Sequence, residues 1–387
     1  MQLAHKIRLE PNTTQEMYFR KACGTTRLVY NLALARWNDL YAAGDKPNGM
    51  ALKKEFNAVK YEQYPWLKEI HRDAHSQPFA DLNKAFSNFF RGTAKRPVFK
   101  KKNKSKDSFY VANDRFKLED ERINLPKIGW VKMRETLRFT GKVCYAVVSR
   151  KADHWYASIV VDVENPYRSR TADGSIGVDL GIKTYAALSD GARLQAPKAL
   201  GANLKKLRRL SKSHSRKKPG SKNHVKSAMK LARLHEHISD IRNDYINKFT
   251  SKLCKENQLV VFEDLAVRNM IRNKKLARHI ADMGWGETIR QVKYKCELFG
   301  SLFKQADRYY PSSQLHNVCG YRNRDLKLKD RSWVCPQCGV EVDRDVNAAL
   351  NILTVGLTGI ACGDGVRPLA VTVCEAGITM CSLSSTF

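Results

Sequence analysis

A chain of 387 residues, 43% of them hydrophobic, has room for two to four modules with buried cores. Its 69 Lys+Arg against 38 Asp+Glu give a net charge of +31, which calls for a polyanionic partner. No apolar run approaches the ~18–20 residues of a spanning helix. The opening Met1-Gln2-Leu3-Ala4-His5-Lys6 has no apolar signal core. Ten Cys in that context argue for reduced thiols or metal in a cytosol rather than disulfides.

Gln2 to Leu9 alternates as a strand and ends at the turn Glu10-Pro11-Asn12. Thr13 or Thr14 is expected to cap the long helix that follows. Further helices are expected over 49–60 and 76–91. In the last, Phe79, Leu82, Phe86 and Phe89-Phe90 recur at helical spacing, a stripe suited to helix packing rather than to base stacking. Arg91 to Lys106 then holds eight Lys/Arg and no acid. With Gly92 and Pro97 inside it, this stretch reads as a loop. Its Lys100, Lys101 and Lys102 are candidates for nucleic-acid backbone contact.

From Phe109 to Val163 the period changes to two, and short strands such as 122–125, 130–133, 143–148 and 155–161 alternate with turns. This pattern predicts an antiparallel barrel or sandwich. The first strand could join it, with the early helices as an insertion. Asn165-Pro166-Tyr167 through Asp173-Gly174 marks a boundary.

The next strand carries Gly177-Val178-Asp179-Leu180-Gly181, and Ser189-Asp190-Gly191 is a hairpin turn. Gly201 to Arg233 has twelve Lys/Arg and no acid. Two helices broken by Pro219-Gly220 would put Lys205, Arg208, Arg209, Lys212, Arg216, Lys217 and Lys218 beside an apolar stripe, as a groove that holds a phosphate backbone without reading sequence. Leu259-Val260-Val261-Phe262 is a buried strand ending at Glu263. Gly284-Trp285-Gly286 opens another helix. Cys23, Cys144, Cys254 and Cys296 sit among apolar residues and are read as packed.

His316-Asn317-Val318-Cys319 and Cys335-Pro336-Gln337-Cys338 form two knuckles separated by fifteen residues. Four such ligands suit a closed, structural zinc site. Asp345 opens a last helix with Val346, Ala349, Leu350 and Leu353. Asp179, Glu263 and Asp345 thus lie at element edges in an α/β core. Converging, they would make a hard-oxygen site for Mg²⁺ or Mn²⁺, and two ions about 4 Å apart would serve phosphodiester hydrolysis. Any one of them could instead be a helix cap or a solvated strand end. Asp264 competes with Glu263, and Asp343 with Asp345. Alternation allows only one of Glu263 and Asp264 to face the site.

The order Gly-Val-Asp-Leu-Gly-Ile, Phe-Glu-Asp-Leu, Gly-Trp-Gly-Glu, Pro-Ser-Ser-Gln-x-x-x-x-Cys-Gly, Cys-Pro-x-Cys-Gly and Asp-Arg-Asp-x-Asn-Ala-Ala-x-Asn-Ile resembles TnpB, the transposon-encoded relatives of type V CRISPR effector nucleases. Ile7-Arg8-Leu9-Glu10-Pro11-Asn12 and Arg27-Leu28-Val29-Tyr30-Asn31 add to the resemblance, which covers about residues 1–355. It implies a multi-domain α/β chain with an RNase H-like (RuvC-type) core, an inserted zinc ribbon and a β-barrel wedge domain interrupted by a helical recognition lobe. The implied boundaries are 1–12 and 96–170 for the wedge, 13–95 for the lobe, 171–311 and 341–355 for the nuclease, and 312–340 for the zinc ribbon. A tail over 356–387 shows no periodicity and reads as mobile.

The same resemblance implies an RNA-guided DNA endonuclease cutting beside a short transposon-adjacent motif, with guide RNA from the transposon end and double-stranded DNA as partners. Asp179, Glu263 and Asp345 match the catalytic triad, and Cys319, Cys335 and Cys338 match zinc ligands. His316 stands where the family has Cys, which gives a His-Cys₃ site. Arg344, beside Asp345, is a candidate for phosphate charge. The expected cofactors are Mg²⁺ or Mn²⁺ and structural Zn²⁺. The expected location is the cytoplasm of a prokaryotic cell, on the nucleoid when DNA is bound. The competing readings are an RNA-guided or plain DNA-binding repressor with an inactive core, and a transposase using the same acids.

Overall fold

The computed structural model describes residues 1–164, 173–327, 329–358, 371–374 and 377–380. It divides into two compact units, Met1–Asn165 and Pro166–Phe387.

In the first unit, strand β1 (Gln2–Glu10) leads into helix α1 (Thr13–Ala42). Asn12, not Thr13 or Thr14, caps this helix. Its extended backbone lets Oδ1 accept the Gln15 N–H at 2.9 Å, while Gln15 Oε1 accepts the Asn12 N–H at 3.0 Å. Two orphan donors are satisfied reciprocally. Helices α2 (Gly49–Gln63) and α3 (Arg72–Phe90) follow; α3 starts four residues before the expected 76. Phe79, Leu82 and Phe86 are buried against α1, and Trp37 stacks on Phe86 with centroids 4.2 Å apart. The aromatic stripe therefore packs helices, although Phe90 at its end is 61% exposed.

The chain then forms β2 (Ser108–Ala112), β3 (Lys117–Glu119), β4 (Arg122–Leu125), β5 (Gly129–Met133), β6 (Lys142–Lys151) and β7 (His154–Asp162). These and β1 make one antiparallel sheet of order β2-β6-β7-β1-β5-β4-β3. Strand β1 pairs with β7 from Gln2↔Asp162 to Leu9↔Trp155. The helices are thus an excursion between β1 and the rest of its own sheet. Period-two burial of Ile7, Leu9, Trp155, Ala157, Ile159 and Val161 builds the core, onto which Phe19 and Ala22 of α1 pack.

The second unit holds β8 (Gly174–Leu180), β9 (Ala186–Leu188), β10 (Arg193–Leu194), α4 (Ala199–Ser215), α5 (Lys222–Glu256), β11 (Asn257–Glu263), α6 (Val267–Met270), α7 (Ala277–Met283), α8 (Trp285–Phe299) and β12 (Leu302–Ala306). The short pair β13 (Ser332–Val334) and β14 (Glu341–Asp343) precedes α9 (Arg344–Thr358). Two further strands, β15 (Val371–Cys374) and β16 (Gly377–Met380), pair antiparallel; the remaining tail residues beyond 358 lie outside the described residues.

The main sheet runs β10-β9-β8-β11-β12, with β8, β11 and β12 parallel. Both its faces are covered, so β11 is a continuous apolar run. Val260 and Phe262 pack with Phe249, Leu253 and Val292 of α5 and α8. Leu259 and Val261 pack with Ile352 of α9. The helix lies so close that a Cβ on Gly177 would meet Ala349 O at 2.1 Å; only glycine fits there.

Candidate nuclease and zinc sites

Alternation along the two central strands decides where the acids go. Gly177 faces α9, so Asp179, two residues on, lies on that face too. Leu259 and Val261 face α9, so Glu263 shares their side and Asp264 takes the other. The parallel register pairs Phe262 with Val178, which puts Glu263 next to Asp179 at the carboxyl edge of the sheet. Asp345 is in the first turn of α9, the helix packed on this face. Three carboxylates from β8, β11 and the start of α9 thus gather at one corner.

Electrostatics agree with the topology. Burial pushes the Asp179 carboxyl up from 3.8 to about 7, and the charges of Glu263 and Asp345 push the same way, opposed by Arg344. Burial also raises Glu263, with Asp264 adding to it. Asp179 and Asp345 line a cavity of about 680 Å³ together with Lys183, Lys198, Asp282 and Arg331. The three acids do not form a tight ligand cluster of the kind the His/Cys residues make. Two ions about 4 Å apart need carboxylates spread around them rather than in mutual contact, and oxygen donors held at this potential fit hard divalent cations.

The raised Asp179 pKa has a consequence for stability. A carboxyl with a folded pKa above its unfolded value destabilises the fold as pH rises from about 4 to about 7, and the full penalty persists above that window. The shift from 3.8 to about 7 corresponds to at most about 4 kcal/mol. Asp179→Asn should therefore raise the Tm of the metal-free protein at pH 8, with the gain shrinking towards pH 4. Thermal unfolding at pH 4, 6 and 8 checks it; a lower Tm for the variant at pH 8 contradicts it.

The competing acids have other partners. Asp343 accepts the N–H groups of Asp345 at 3.1 Å and Val346 at 3.0 Å, and pairs with Arg193. Although burial works against it, these bonds hold its carboxyl below the ordinary value. It is the cap of α9. Asp264 pairs with Arg308. The Arg344 guanidinium spends its hydrogen bonds on the loop, donating to Lys327 O at 2.7 Å and Asp330 O at 3.5 Å, while its charge still bears on Asp179. The guanidinium beside Asp345 belongs to Arg331, at 3.6 Å from Oδ1. Nothing in the local sequence marks Arg331, since it sits in a polar loop and reaches the site only through the fold.

The zinc candidates converge. Ligand atoms of His316, Cys319, Cys335 and Cys338 all lie within 4.8 Å of one another. His316 Nδ1 is 3.0 Å from Cys319 Sγ and 3.3 Å from Cys338 Sγ. Burial lowers the His316 pKa, which favours the neutral imidazole a metal requires. Burial works to raise the Cys335 thiol, but the N–H groups of Cys338 and Gln337 outweigh it and hold it down. The donor set, one nitrogen and three sulfurs, fits a structural zinc. Buried Asn347 and Asn351 of α9 bind the loop that carries His316. Asn347 Oδ1 accepts the Asn317 N–H at 2.9 Å, and Asn351 Nδ2 donates to Ser312 O and Leu315 O, each at 2.7 Å. One turn apart, they look like exposed polar positions until the loop lies across them.

Of the basic candidates, Lys205, Arg208, Arg209, Lys212, Arg216 and Lys218 are exposed along α4 and its following turn, and Lys217 is half-buried. In the first unit Lys101 and Lys102 are exposed. Lys100 is held back: its ammonium sits 3.8 Å from the Tyr30 ring centroid, and its backbone exchanges hydrogen bonds with the Asn31 side chain. Buried Cys254 and Cys296 pack sulfur to sulfur at 3.5 Å.

Comparison with known proteins adds three findings. Residues 158–274 match the family model described as "Probable transposase", 285–352 the one described as "Cas12f1-like, TNB domain", and 1–46 the one described as "Helix-turn-helix domain". In this chain that last segment is one strand and one unbroken helix. A Streptomyces pristinaespiralis protein named "Putative RNA-guided DNA endonuclease" is 35% identical over 374 residues, covering 94% of this chain and 92% of its own. The Escherichia coli K12 "Putative RNA-guided DNA endonuclease InsQ" is 35% identical over 386 residues, covering 95% and 96%. The protein in the "Cryo-EM structure of the Cas12f1-sgRNA-target DNA complex" superposes with a TM-score of 0.54 at 15% identity, over 87% of this chain and 82% of that one. This is a likeness of fold. Among the described residues no helix is long and apolar enough to cross a membrane.

Proposed function

The chain belongs to the TnpB family, and from that premise we propose that it is an RNA-guided DNA endonuclease of the RuvC type. It would take its guide from the transposon end and cut DNA beside a short adjacent motif. The observation that carries the nuclease reading is the convergence of Asp179, Glu263 and Asp345 on the α9 face of the sheet, where burial, with the charges of the other two acids, raises Asp179. Divalent cations held by these carboxylates would activate the attacking water and stabilise the leaving oxygen. Asp179, raised to about 7 mainly by burial, would hold such a cation in its carboxylate form. Arg331 pairs with Asp345 and is placed to take up phosphate charge as a strand enters. Arg331 lies in the zinc module and is held against the start of α9: the Arg344 N–H donates to Arg331 O at 2.9 Å, and the Arg344 guanidinium ties down the loop before it.

On this reading the seven-stranded sheet and its helical excursion are the wedge and recognition lobe, and the five-stranded sheet is the RuvC-like core with an inserted zinc ribbon. Base pairing reads the target, while protein contacts hold the heteroduplex by backbone and shape. The +31 charge suits that work. Affinity should fall linearly with log salt, and Arg208→Ala with Arg209→Ala should lower the slope by roughly 1.5–2 if both touch phosphates. Titrations of guide RNA at four salt concentrations measure this; an unchanged slope removes α4 from the interface.

The direct test is to purify the protein with the RNA it carries, sequence that RNA, and challenge the complex with a plasmid library randomised beside a matched target. Mg²⁺-dependent cutting at matched plasmids sharing one short motif is expected. Tight, matched binding without cutting would favour the repressor reading, and joined 3′ ends a transposase.

A further inference from the structure

We propose that Lys198 is a phosphate-binding residue of the acidic cavity and that Asp282 is the positioning residue that holds it there, a proposal that rests on the nuclease reading above. Lys198 immediately precedes α4 and has φ 44° and ψ 49°, the left-handed region that side chains other than Gly and Asn rarely adopt. As the first residue of a helix entry it cannot cap, because its side chain has no acceptor, and it makes no capping bond. The cap comes instead from 80-odd residues away. Asp282 of α7 accepts the Leu200 N–H at 2.9 Å on Oδ1 and the Gly201 N–H at 3.0 Å on Oδ2. Asp282 is only 7% exposed. A buried carboxylate is costly unless hydrogen-bonded, and this one commits both oxygens to fixing the turn that Lys198 begins.

Local needs do not explain a lysine at this position. Ser, Asp or Asn would cap the helix, and Gly would take the positive φ without strain. Lysine contributes neither. It contributes a cation on a long stem, and this exposed residue lines the same cavity as Asp179 and Asp345. Its ammonium pairs with no carboxylate among the described residues. An outlier conformation held by a buried group at the wall of a candidate site is where strain serves function. A cation there offsets the repulsion between the clustered carboxylates and an incoming phosphodiester. Because the same bonds fix the start of α4, a backbone tracking the exposed Lys205, Arg208 and Lys212 would meet Lys198 as it enters.

Lys198→Gly separates this role from a structural one. Glycine relieves the backbone, so both accounts expect an equal or higher Tm. A helix-entry role alone leaves cleavage unchanged. The proposal expects kcat to fall by at least tenfold, on the order of 10², with Lys198→Arg restoring most of it. Asp282→Asn, which keeps the volume but only one acceptor oxygen, should fall between. Independently of cleavage, the Kd of a single-stranded DNA oligonucleotide is measured in an Asp179→Ala background with Ca²⁺. Adding Lys198→Gly should weaken it about 5–10-fold and lower the salt slope by about 0.7. Reduced oligonucleotide affinity in a protein whose parent never cleaves would support the phosphate site and sink the nuclease reading. Unchanged cleavage and unchanged affinity, or no oligonucleotide binding by the parent, overturns the proposal.

Discussion

Asp179→Ala, Glu263→Ala and Asp345→Ala should each abolish cleavage of a matched target, by roughly 10⁴-fold or more, and leave guide-RNA affinity within about twofold. The expectation follows from where the charges sit. On the proposed reading, cations shared by the three carboxylates would supply both the nucleophile and the leaving-group stabilisation, so removing one ligand would remove both functions at once, and the losses should not add. Asp264→Ala and Asp343→Ala are the controls. Asp264 lies on the other side of β11 and pairs with Arg308, and Asp343 caps α9 and pairs with Arg193. Asp343→Ala should cost stability, about 1 kcal/mol for the lost cap, and cleavage only moderately. Single-turnover cleavage with RNA-loaded protein, together with filter binding of the RNA, distinguishes these outcomes. If Asp264→Ala is as inactive as Glu263→Ala, the face assignment drawn from β11 is wrong.

Removing zinc should be nearly as damaging, by a different route. Structural zinc sites bind with about 10–16 kcal/mol of apparent free energy, and among its described residues the segment between β12 and α9 has little regular structure besides the ligand set: one short strand pair and the bridge between Leu315 and Arg322. Cys335 is fully buried. Cys335→Ser should release the segment, with it the Arg331 that pairs with Asp345, and leave Asn347 and Asn351 with unpartnered amides in α9. We expect loss of the bound zinc and loss of nearly all cleavage, with guide-RNA binding retained in part. His316→Cys should keep the metal, since thiolate and imidazole serve the same tetrahedral site, whereas His316→Ala should not. Metal content by mass spectrometry and cleavage are read on the same preparations. A zinc-free Cys335→Ser protein that cuts at the normal rate would show that the segment does not shape the site.

Much of the framework was legible because it rests on short-range pattern. Leu259 to Phe262 reads as a buried strand from its unbroken apolar run, and α9 from the period of Val346, Ala349, Leu350 and Leu353. Strand β1 could be guessed into the antiparallel sheet because its alternation matched that of later strands. What the sequence left open, or in one case misplaced, depends on partners, most of them far along the chain. Thr13 and Thr14 look as good as Asn12 for a cap until the reciprocal bond from Gln15 is seen. Lys100 belongs by composition to a basic run, yet its ammonium lies over the Tyr30 ring. Arg344 sits beside Asp345 in sequence, but the guanidinium beside it in space is Arg331, fourteen positions earlier. Local chemistry left Asp343 and Asp345 equivalent, and family resemblance alone chose between them. The fold supplies a physical reason: Asp343 is consumed by Arg193 and the N–H groups of α9. Asp282 carried no signal at all, because its role is defined by two N–H groups on another helix.

The account turns on whether these three acids hold divalent ions in common. Crystals of the protein soaked in Mn²⁺ and measured at the manganese edge would settle the matter without reference to activity. The prediction is two anomalous peaks about 4 Å apart, with oxygens of Asp179, Glu263 and Asp345 in contact. Saturating manganese that leaves this corner empty, or binds only elsewhere on the chain, would contradict it.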